Sequence, residues 1–232
     1  MIKRGQASGV VAQGPTGERI FQADTVIIAA GGLATPVILQ QSGVSDGSGL
    51  FLDLLVNTYG LAPSSDQLNE PPMSLVMKDH HENGGFLLSP FVNRHPFVRF
   101  AEVGWGAFFQ PQGKLMGIMT KISDESCGQV HRSGKVLKRV TKRDRRRLDE
   151  GASIARKILI GAGCADRSIV TSCVQGAHPG GTAAIGRVVN TRLQTDVGGL
   201  YVCDASVLPQ SPGLPPIMTI VALAKRLAGL LQ

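Results

Sequence analysis

The sequence predicts an α/β protein in which part of a parallel sheet with flanking helices is joined to an antiparallel, β-rich layer. The first observation is the continuous apolar run Thr25–Ala30, because strands of parallel sheets are buried on both faces. The second is the glycine pair that follows this run, with a helix-forming segment behind it. The third is the series of short apolar stretches separated by turn residues over 86–140, which is typical of antiparallel strands.

Residues 1–44 are predicted to form a hairpin followed by a strand–turn–helix unit. Gly14-Pro15-Thr16-Gly17 is a turn signal between two predicted strands. Thr35 and Pro36 are suited to the N-cap and first position of a short helix over 37–42. This arrangement is typical of a nucleotide-binding sheet.

Residues 45–172 are predicted to form the β-rich layer, and residues 173–232 to return to the first domain. A loop with one short helix near 51–57 is expected to open the layer. Its predicted strands lie at 86–88, 97–103, 115–122, 129–131, 136–138 and 169–174. Thr141-Lys-Arg-Asp144 has the form of a capping box and predicts the start of a long amphipathic helix.

Composition narrows the class of protein. The 232 residues are 43% hydrophobic, enough for one large domain or two small ones. No apolar run is long enough to span a bilayer, and the segment that starts at Met1 lacks a secretory signal, so we expect a cytoplasmic protein. The four cysteines form no CxxC motif, which favours free thiols and predicts neither a metal site nor a disulfide framework.

The net charge of +7 is concentrated in one segment. Seven lysines and arginines lie within 138–147. No aromatic residues are interleaved with them, which argues against nucleic-acid binding. The cluster is interpreted as a solvated or anion-contacting face of the predicted helix.

Three segments near the C-terminus carry candidate chemistry. His178 begins a loop of small residues and could abstract a proton near neutral pH, or simply stabilise a turn. Asp204 ends a short predicted strand, where open α/β sheets bind ligands, or caps a turn. Pro215 and Pro216 lead into an apolar helix whose positive end suits an anion, although an ordinary buried helix has the same sequence character.

Taken together, these segments resemble the C-terminal region of glucose–methanol–choline flavoproteins. The family's motifs correspond to His178-Pro-Gly-Gly-Thr182, Asp204-Ala-Ser206, Pro215-Pro-Ile-Met-Thr219, Ala222-Leu-Ala-Lys-Arg226 and the stretch from Val26 to Gly43. The resemblance implies part of a Rossmann-like FAD-binding domain with a substrate-binding β layer. It implies FAD as cofactor and an alcohol as substrate.

The resemblance also implies roles for individual residues. His178 would be the base that takes the alcohol proton while hydride passes to flavin N5. The remaining expected positions contact FAD: Ala30 and Gly31 near the adenosine end, Asp204 and Ala205 near the ribityl–pyrophosphate, and Pro216, Ile217 and Thr219 beside the isoalloxazine.

Two features depart from the family pattern. Leu214 stands where the family usually places Asn or His, so a second catalytic partner is missing or is one of His80, His81, His95 and His131. The GxGxxG phosphate loop is absent from the sequence. Three Gly-x-Gly triplets occur, at 47–49, 104–106 and 161–163, and none of them has the third glycine of the motif three residues later. We therefore expect a truncated product or one half of a split enzyme, with an N-terminal half or partner subunit supplying the loop.

The sequence thus predicts an FAD-dependent oxidoreductase acting on CH–OH groups. Two alternatives remain open: a non-catalytic subunit that binds a partner chain, and a flavoprotein with a non-alcohol substrate. The missing loop and Leu214 favour the first alternative, whereas His178 and Asp204 favour the enzyme.

Overall fold

The computed structural model describes residues 1–104 and 111–232. The chain divides into two compact units. The first comprises Met1–Leu52, Glu125–Arg139 and His178–Gln232, and the second comprises Asp53–Asp124 and Val140–Ala177. The predicted α/β class is confirmed. Of the Gly-x-Gly triplet at 104–106, residues 105 and 106 lie outside the described residues.

The described residues form mainly short strands, with helices between some of them. The strands are β1 Ile2–Lys3, β2 Gln6–Ala7, β3 Gly9–Gly14, β4 Gly17–Gln22, β5 Val26–Ile28, β6 Ser48–Leu50, β7 Leu54–Leu61, β8 Phe86–Pro90, β9 Leu115–Ile122, β10 Gly128–Val130, β11 Val136–Leu137, β12 Val170–Thr171, β13 Gln175–Gly176 and β14 Leu200–Val202. The helices are α1 Gly31–Gln41, α2 His81–Gly84, α3 Pro96–Val103, α4 Lys142–Gly161 and α5 Ile217–Leu230. Short 3₁₀ turns cover Gln112–Lys114, Asp166–Ser168 and Ala205–Val207.

The first unit is built around a parallel pair of strands. β5 pairs with β14, Val26 opposite Leu200 and Ile28 opposite Val202. The side chains of these four residues are buried in one apolar cluster with Leu39 of α1 and Leu227 of α5. Because parallel strands end at the same sheet edge, the turns after β5 and β14 emerge together.

The second unit is an antiparallel sheet covered by α4. The strand order is β12-β7-β9-β8, with β13 also pairing with β7. Gly151 allows α4 to approach the sheet, because a Cβ there would lie 2.3 Å from Thr120 Cγ2. Leu148, Ala155 and Leu159 continue the buried face of this helix. The apolar side chains that recur at helical spacing therefore pack on β7, β8 and β9.

The predicted capping box at the start of α4 is confirmed. The Asp144 N–H donates to Thr141 Oγ1 at 3.1 Å, and the Thr141 N–H donates to Asp144 Oδ2 at 3.2 Å. An aspartate is therefore long enough to close the box usually made by glutamate or glutamine.

Two predicted elements are wrong. Residues 54–57 belong to strand β7 rather than to a helix, because β9 and β13 pair with this buried segment on its two sides. Residues 97–103 belong to helix α3, which Pro96 starts at its first position and which buries Arg99 and Glu102 on one face. Tertiary pairing and burial thus decide between helix and strand for short apolar runs.

Helix α1 also begins earlier than predicted, at Gly31 rather than Val37. The predicted cap residue Thr35 lies inside the helix, where its hydroxyl donates to a side chain of another segment and accepts the Ala30 N–H at 3.1 Å. Pro36 is tolerated one residue later, still within the first two turns, where its missing N–H costs one intrahelical bond.

The two compact units meet along the chain at 52/53, 124/125, 139/140 and 177/178, and the β10–β11 hairpin belongs to the first unit. The predicted domain divisions at 44/45 and 172/173 stay a prediction. The assignment of cofactor and substrate roles to these segments stays a prediction.

Several classes of feature are not found in the described part of the chain. No helix there is long and apolar enough to cross a bilayer. No group of His, Cys, Asp and Glu side chains there is arranged to hold a metal ion. All four cysteines are free thiols, and burial raises the pKa of Cys164.

Candidate active site

The turn between β5 and α1 is made by two glycines with different requirements. Gly31 has a φ of 86°, a left-handed conformation, and open space where a Cβ would stand. Gly32 has no such space, because its Cβ would lie 1.9 Å from the Pro179 carbonyl oxygen. The start of α1 therefore lies directly against the loop that follows His178.

Asp204 ties the ends of the two parallel strands together. Its Oδ2 accepts the Gly31 N–H at 2.9 Å and the Thr35 hydroxyl at 2.5 Å. Its Oδ1 accepts the N–H and the hydroxyl of Ser206 at 2.8 and 2.6 Å. A carboxylate has about four acceptor positions, so all of them are used inside the protein. The charge of Asp204 also adds to the effect of burial in raising the pKa of Cys203.

The His178 loop is held by backbone contacts on both sides. The His178 N–H donates to the Leu52 carbonyl at 2.9 Å, and the side chain is half-buried. Phe51 and Gly180 exchange two backbone hydrogen bonds, each 3.1 Å long. The Gly181 N–H donates to the Ala205 carbonyl at 3.3 Å. The loop is thereby attached to the turn that follows β14.

Glycines are required in this loop because the Phe51 ring and the backbone leave no room for side chains. A Cβ on Gly180 would lie 2.5 Å from both the Ala205 oxygen and Phe51 Cζ. Gly181 has a φ of 86°, and a Cβ on it would lie 2.5 Å from the Gly49 carbonyl oxygen. The Gly-Gly pair of the motif is therefore explained by packing within this unit.

Arg187 donates hydrogen bonds that hold the same loop, and no pattern in the sequence predicts this role. Its Nη2 donates to the carbonyls of Gly181 and Ser48 at 2.8 and 2.6 Å, and its Nη1 donates to the Ser48 hydroxyl at 2.6 Å. The Ser48 N–H, followed by the Ser48 hydroxyl and the Arg187 charge, holds the pKa of Asp46 below its ordinary value. An isolated arginine on a polar surface is too common in sequences to be singled out.

The predicted residues at the start of α5 are placed differently from the rest. Pro216 is buried, whereas Ile217 and Thr219 are exposed at the first turn. Leu214 is 40% exposed. Within the described residues, no hydrogen bond joins Pro216, Ile217 or Thr219 to the His178 loop.

Five of the eight predicted site residues therefore lie in segments that contact one another. These are Ala30, Gly31, His178, Asp204 and Ala205. Of the histidines considered as second partners, His80 stacks on Phe86 in the second unit with ring centroids 5.0 Å apart.

Comparison with known proteins assigns the family. Two family models, both described as GMC oxidoreductase, match residues 1–80 and 135–224. The chain belongs to the GMC oxidoreductase family. The resemblance inferred from the motifs is thereby confirmed.

Individual GMC oxidoreductases and other relatives show the extent of the likeness. Uncharacterized protein MJ1450 of Methanocaldococcus jannaschii is 34% identical over 211 residues, covering 90% of this chain and 53% of that protein. The long-chain-alcohol oxidase FAO4B of Arabidopsis thaliana is 22% identical over 263 residues, covering 88% of this chain and 35% of its own length. The crystal structure of pyridoxine 4-oxidase from Mesorbium loti superposes with a TM-score of 0.72 at 18% identity, over 99% of this chain and 55% of that one.

The chain thus spans about half of the length of the archaeal protein and of the crystal structure, and about a third of the plant oxidase. The structural likeness supports the mixed α/β fold that the sequence predicts.

Proposed function

We propose that the protein takes part in FAD-dependent oxidation of a CH–OH group, with His178 as the base. The observation that carries this proposal is the attachment of the His178 loop to both turns that follow the parallel strands, through Pro179 at Gly32 and through Gly181 at Ala205. A base held at the carboxyl ends of such strands stands where open α/β sheets bind their ligands. Family membership supports an oxidase or dehydrogenase reaction.

The residues at these strand ends fit a bound FAD in part. Open space beside Gly31 allows a ligand to approach the backbone closely. Ala30, Gly31 and Ala205 would flank the cofactor, and the exposed first turn of α5, which includes Ile217 and Thr219, would direct free N–H groups toward an anionic ring. Pro216 starts that turn. Bound FAD would supply the hydride acceptor.

Asp204 would act on the cofactor indirectly. Because its acceptor positions are already occupied by Gly31, Thr35 and Ser206, its carboxylate would fix the two turns that flank FAD. This refines the contact expected from the family resemblance.

His178 would accept the hydroxyl proton of the substrate as the carbon–hydrogen bond breaks. The substrate would leave as a carbonyl compound, with its proton held on the imidazole and its hydride taken by the acceptor that FAD would supply. Histidine is suited to such a transfer near neutral pH. Leu214 offers no hydrogen bond, so His178 would work without a polar partner at that position.

The missing glycine-rich loop would come from an N-terminal half or partner subunit. Glycines of that loop let the backbone approach the pyrophosphate, and this chain has no such motif. We therefore infer that catalysis requires the polypeptide that carries it.

A second candidate is a subunit that binds a partner without doing chemistry. Large apolar side chains on the surface favour it, among them Met218, which is 79% exposed, and Ile217, which is 64% exposed. In that case the chain would associate with its partner whether or not His178 is present.

The test measures flavin reduction by a panel of alcohols in stopped flow, using the chain assembled with the glycine-loop polypeptide. His178→Ala should slow reduction by about 10²–10⁴-fold, with a smaller effect on substrate affinity. Arg132→Ala, on the exposed turn between β10 and β11 of the same unit, is the control and should keep the rate. A near-normal rate in His178→Ala would remove this residue from the chemistry.

Leu214→Asn tests the apolar residue that stands where the family usually places Asn or His. If the substrate oxygen lies beside this position, the new amide gains a partner and the reduction rate rises. If the surroundings are apolar once the partner is bound, an unsatisfied amide costs about 1–3 kcal/mol and the rate falls.

A further inference from the structure

The peptide group that joins Leu52 to Asp53 is hydrogen-bonded at both of its ends. Its carbonyl accepts the His178 N–H at 2.9 Å, and its N–H donates to Asp124 Oδ1 at 2.8 Å. The first bond lies within the first unit and the second bond within the second unit. Because a peptide group is planar and rigid, turning its N–H also turns its carbonyl. The two hydrogen bonds are therefore coupled through covalent geometry.

Asp53 has an uncommon backbone conformation. Its φ is 50°, in the left-handed region, which costs free energy for a residue with a Cβ. Glycine would adopt this conformation without that cost, but glycine has no carboxylate to pair with Lys121. The Lys121 Nζ lies 3.1 Å from Asp53 Oδ2, so the ion pair holds a residue whose backbone conformation is unfavourable by itself.

The side chains around this peptide group are charged and buried. Asp53 and Lys121 are fully buried, and Asp124 is 4% exposed. Burial lowers the pKa of Lys121, and the charges of Asp53 and Asp124 offset part of that effect. Apolar side chains of similar volume often stabilise a fold as well as a buried ion pair does. Three charged side chains around one peptide group are therefore better explained by a need to fix its orientation.

We propose that Asp124 and the Asp53–Lys121 ion pair act as positioning residues for His178, by orienting the peptide group whose carbonyl binds the His178 backbone. The negative charge of Asp124 also polarises this peptide group, which makes its carbonyl a stronger acceptor. The inference rests on the proposed function for the role of His178 as a base.

The hydrogen bond to Leu52 anchors the backbone directly at the proposed base. Pro179 follows and has no N–H to donate, so the next backbone N–H that anchors the loop is that of Gly180, which donates to the Phe51 carbonyl at 3.1 Å. Loss of the bond at His178 would therefore displace the imidazole without removing it. A displacement of about 1 Å near the reacting atoms can cost about 10²-fold in rate.

Amide hydrogen exchange of the chain without cofactor measures this coupling. Asp124→Leu removes the acceptor and should speed exchange of the Asp53 amide by about 10–100-fold. It should also speed exchange of the His178 amide by at least about threefold. The Val202 amide, which donates to the Leu193 carbonyl at 3.0 Å, reports on unfolding of the first unit and should not change. A purely structural Asp124 would expose the Asp53 amide and leave His178 as it is.

Two asparagine variants complete the comparison. Asp124→Asn keeps an oxygen acceptor, so exchange of the His178 amide should stay within about twofold of the wild type. Its neutral side chain polarises the peptide group less, so the NMR signal of the His178 amide proton should move upfield. Asp166→Asn is the matched control, because its carboxylate belongs to an exposed ion pair with Arg156 in the same unit as Asp124. It should change neither the exchange nor the signal of His178.

Thermal melts verify that each variant folds. If Asp124→Leu does not fold, the amide proton signal in Asp124→Asn decides. An unchanged signal there, or unchanged His178 exchange in a folded Asp124→Leu variant, would overturn the proposal.

Flavin reduction in the assembled enzyme gives a second readout. Asp124→Leu should lower the limiting reduction rate by about 10–100-fold and change the apparent dissociation constant of the alcohol by less than about twofold. Asp124→Asn should restore most of the rate, since its oxygen still orients the peptide group. Weaker alcohol binding at an unchanged limiting rate would contradict a positioning role.

The two readouts separate this inference from the proposed function. If His178 exchange responds to Asp124→Leu and His178→Ala reduces flavin at the normal rate, the proposed function fails, and the anchoring of the loop through Asp124 stands. If His178→Ala is slow and His178 exchange does not respond, His178 remains the base and the positioning role fails.

Discussion

Lys121 is a buried cation that forms an ion pair with Asp53. The Nζ lies 3.1 Å from Asp53 Oδ2, and the two side chains are 1% and 0% exposed. Burial lowers the pKa of Lys121, and the Asp53 charge offsets part of that effect. The Asp53 N–H in turn donates to Asp124 Oδ1 at 2.8 Å.

We expect Lys121→Met to lower the free energy of unfolding by about 3–5 kcal/mol, since a buried carboxylate loses its cation. Adding Asp53→Asn should restore much of that loss, because asparagine tolerates the φ of 50° at this position. Urea unfolding of the wild type, both single variants and the double variant gives the coupling. Simple additivity of the two changes would contradict the pairing.

The buried phenol of Tyr59 should make the stability of the fold fall at alkaline pH. Burial first, and then its hydrogen bond to Glu102, raise the pKa of Tyr59 above its ordinary value of 10.0. Above pH 10 the unfolded chain loses this proton and the folded chain keeps it, so stability should fall by up to about 1.4 kcal/mol per pH unit.

Tyr59→Phe should therefore be less stable at neutral pH, by about 1–3 kcal/mol, since a buried Glu102 oxygen loses its donor. It should also lack this part of the alkaline loss, so the two stability curves should approach each other above pH 10. Urea midpoints from pH 8 to pH 11 measure this, and parallel curves would show that the phenol does not stay protonated in the fold.

At the level of residues, the sequence identified those that act through a local pattern. Thr141 and Asp144 are three positions apart, and a capping box can be read from that spacing. The observed roles of Thr35 and Arg187 could not be predicted from the sequence. Thr35 bonds to Asp204, which is distant in the sequence, and Arg187 bonds to the backbone of Gly181, which has no side chain. Their roles arise only when folding brings those segments together.

Helix α1 depends on its close contact with the His178 loop. Gly32→Ala should lower the free energy of unfolding by about 1–3 kcal/mol, because the new Cβ would meet the Pro179 carbonyl at 1.9 Å. Gly229→Ala in α5 is the control, with no atom within 4 Å of its Cβ, and should gain about 0.5–1 kcal/mol. Urea unfolding distinguishes them, and two equal shifts would show that α1 moves freely.

At the level of elements, sequence patterns succeeded where one periodicity was clear. The apolar spacing of α4 and the short apolar stretch that forms β9 predicted their type. The run that forms β7 has no period, because every residue from Leu54 to Gly60 is buried in the centre of the sheet. Pro96 starts α3 in a segment whose aromatic residues favour a strand, so capping outweighed side-chain propensity there.

For the whole molecule, the missing loop leads to a prediction about the cofactor. The chain alone should bind FAD weakly, since the backbone that would approach the pyrophosphate is not in this sequence. Retained yellow absorbance and quenched flavin fluorescence after gel filtration measure this. Stoichiometric, submicromolar binding by the chain alone would contradict the requirement for a second polypeptide.

The interleaved sequence of the two units also governs the order in which they can form. The Gly31 N–H reaches Asp204 across 173 residues, whereas the pairs of β7 with β9, such as Gly60 with Met116, span about a third of that distance. Closing the longer loop costs about 1 kcal/mol more entropy, and on the ribosome residues 1–52 must wait for the last segment to be made. Pulse-labelled refolding should therefore protect amides of β7 and β9 before those of β5 and β14, and until then the apolar side chains of residues 1–52 lack the partners that bury them.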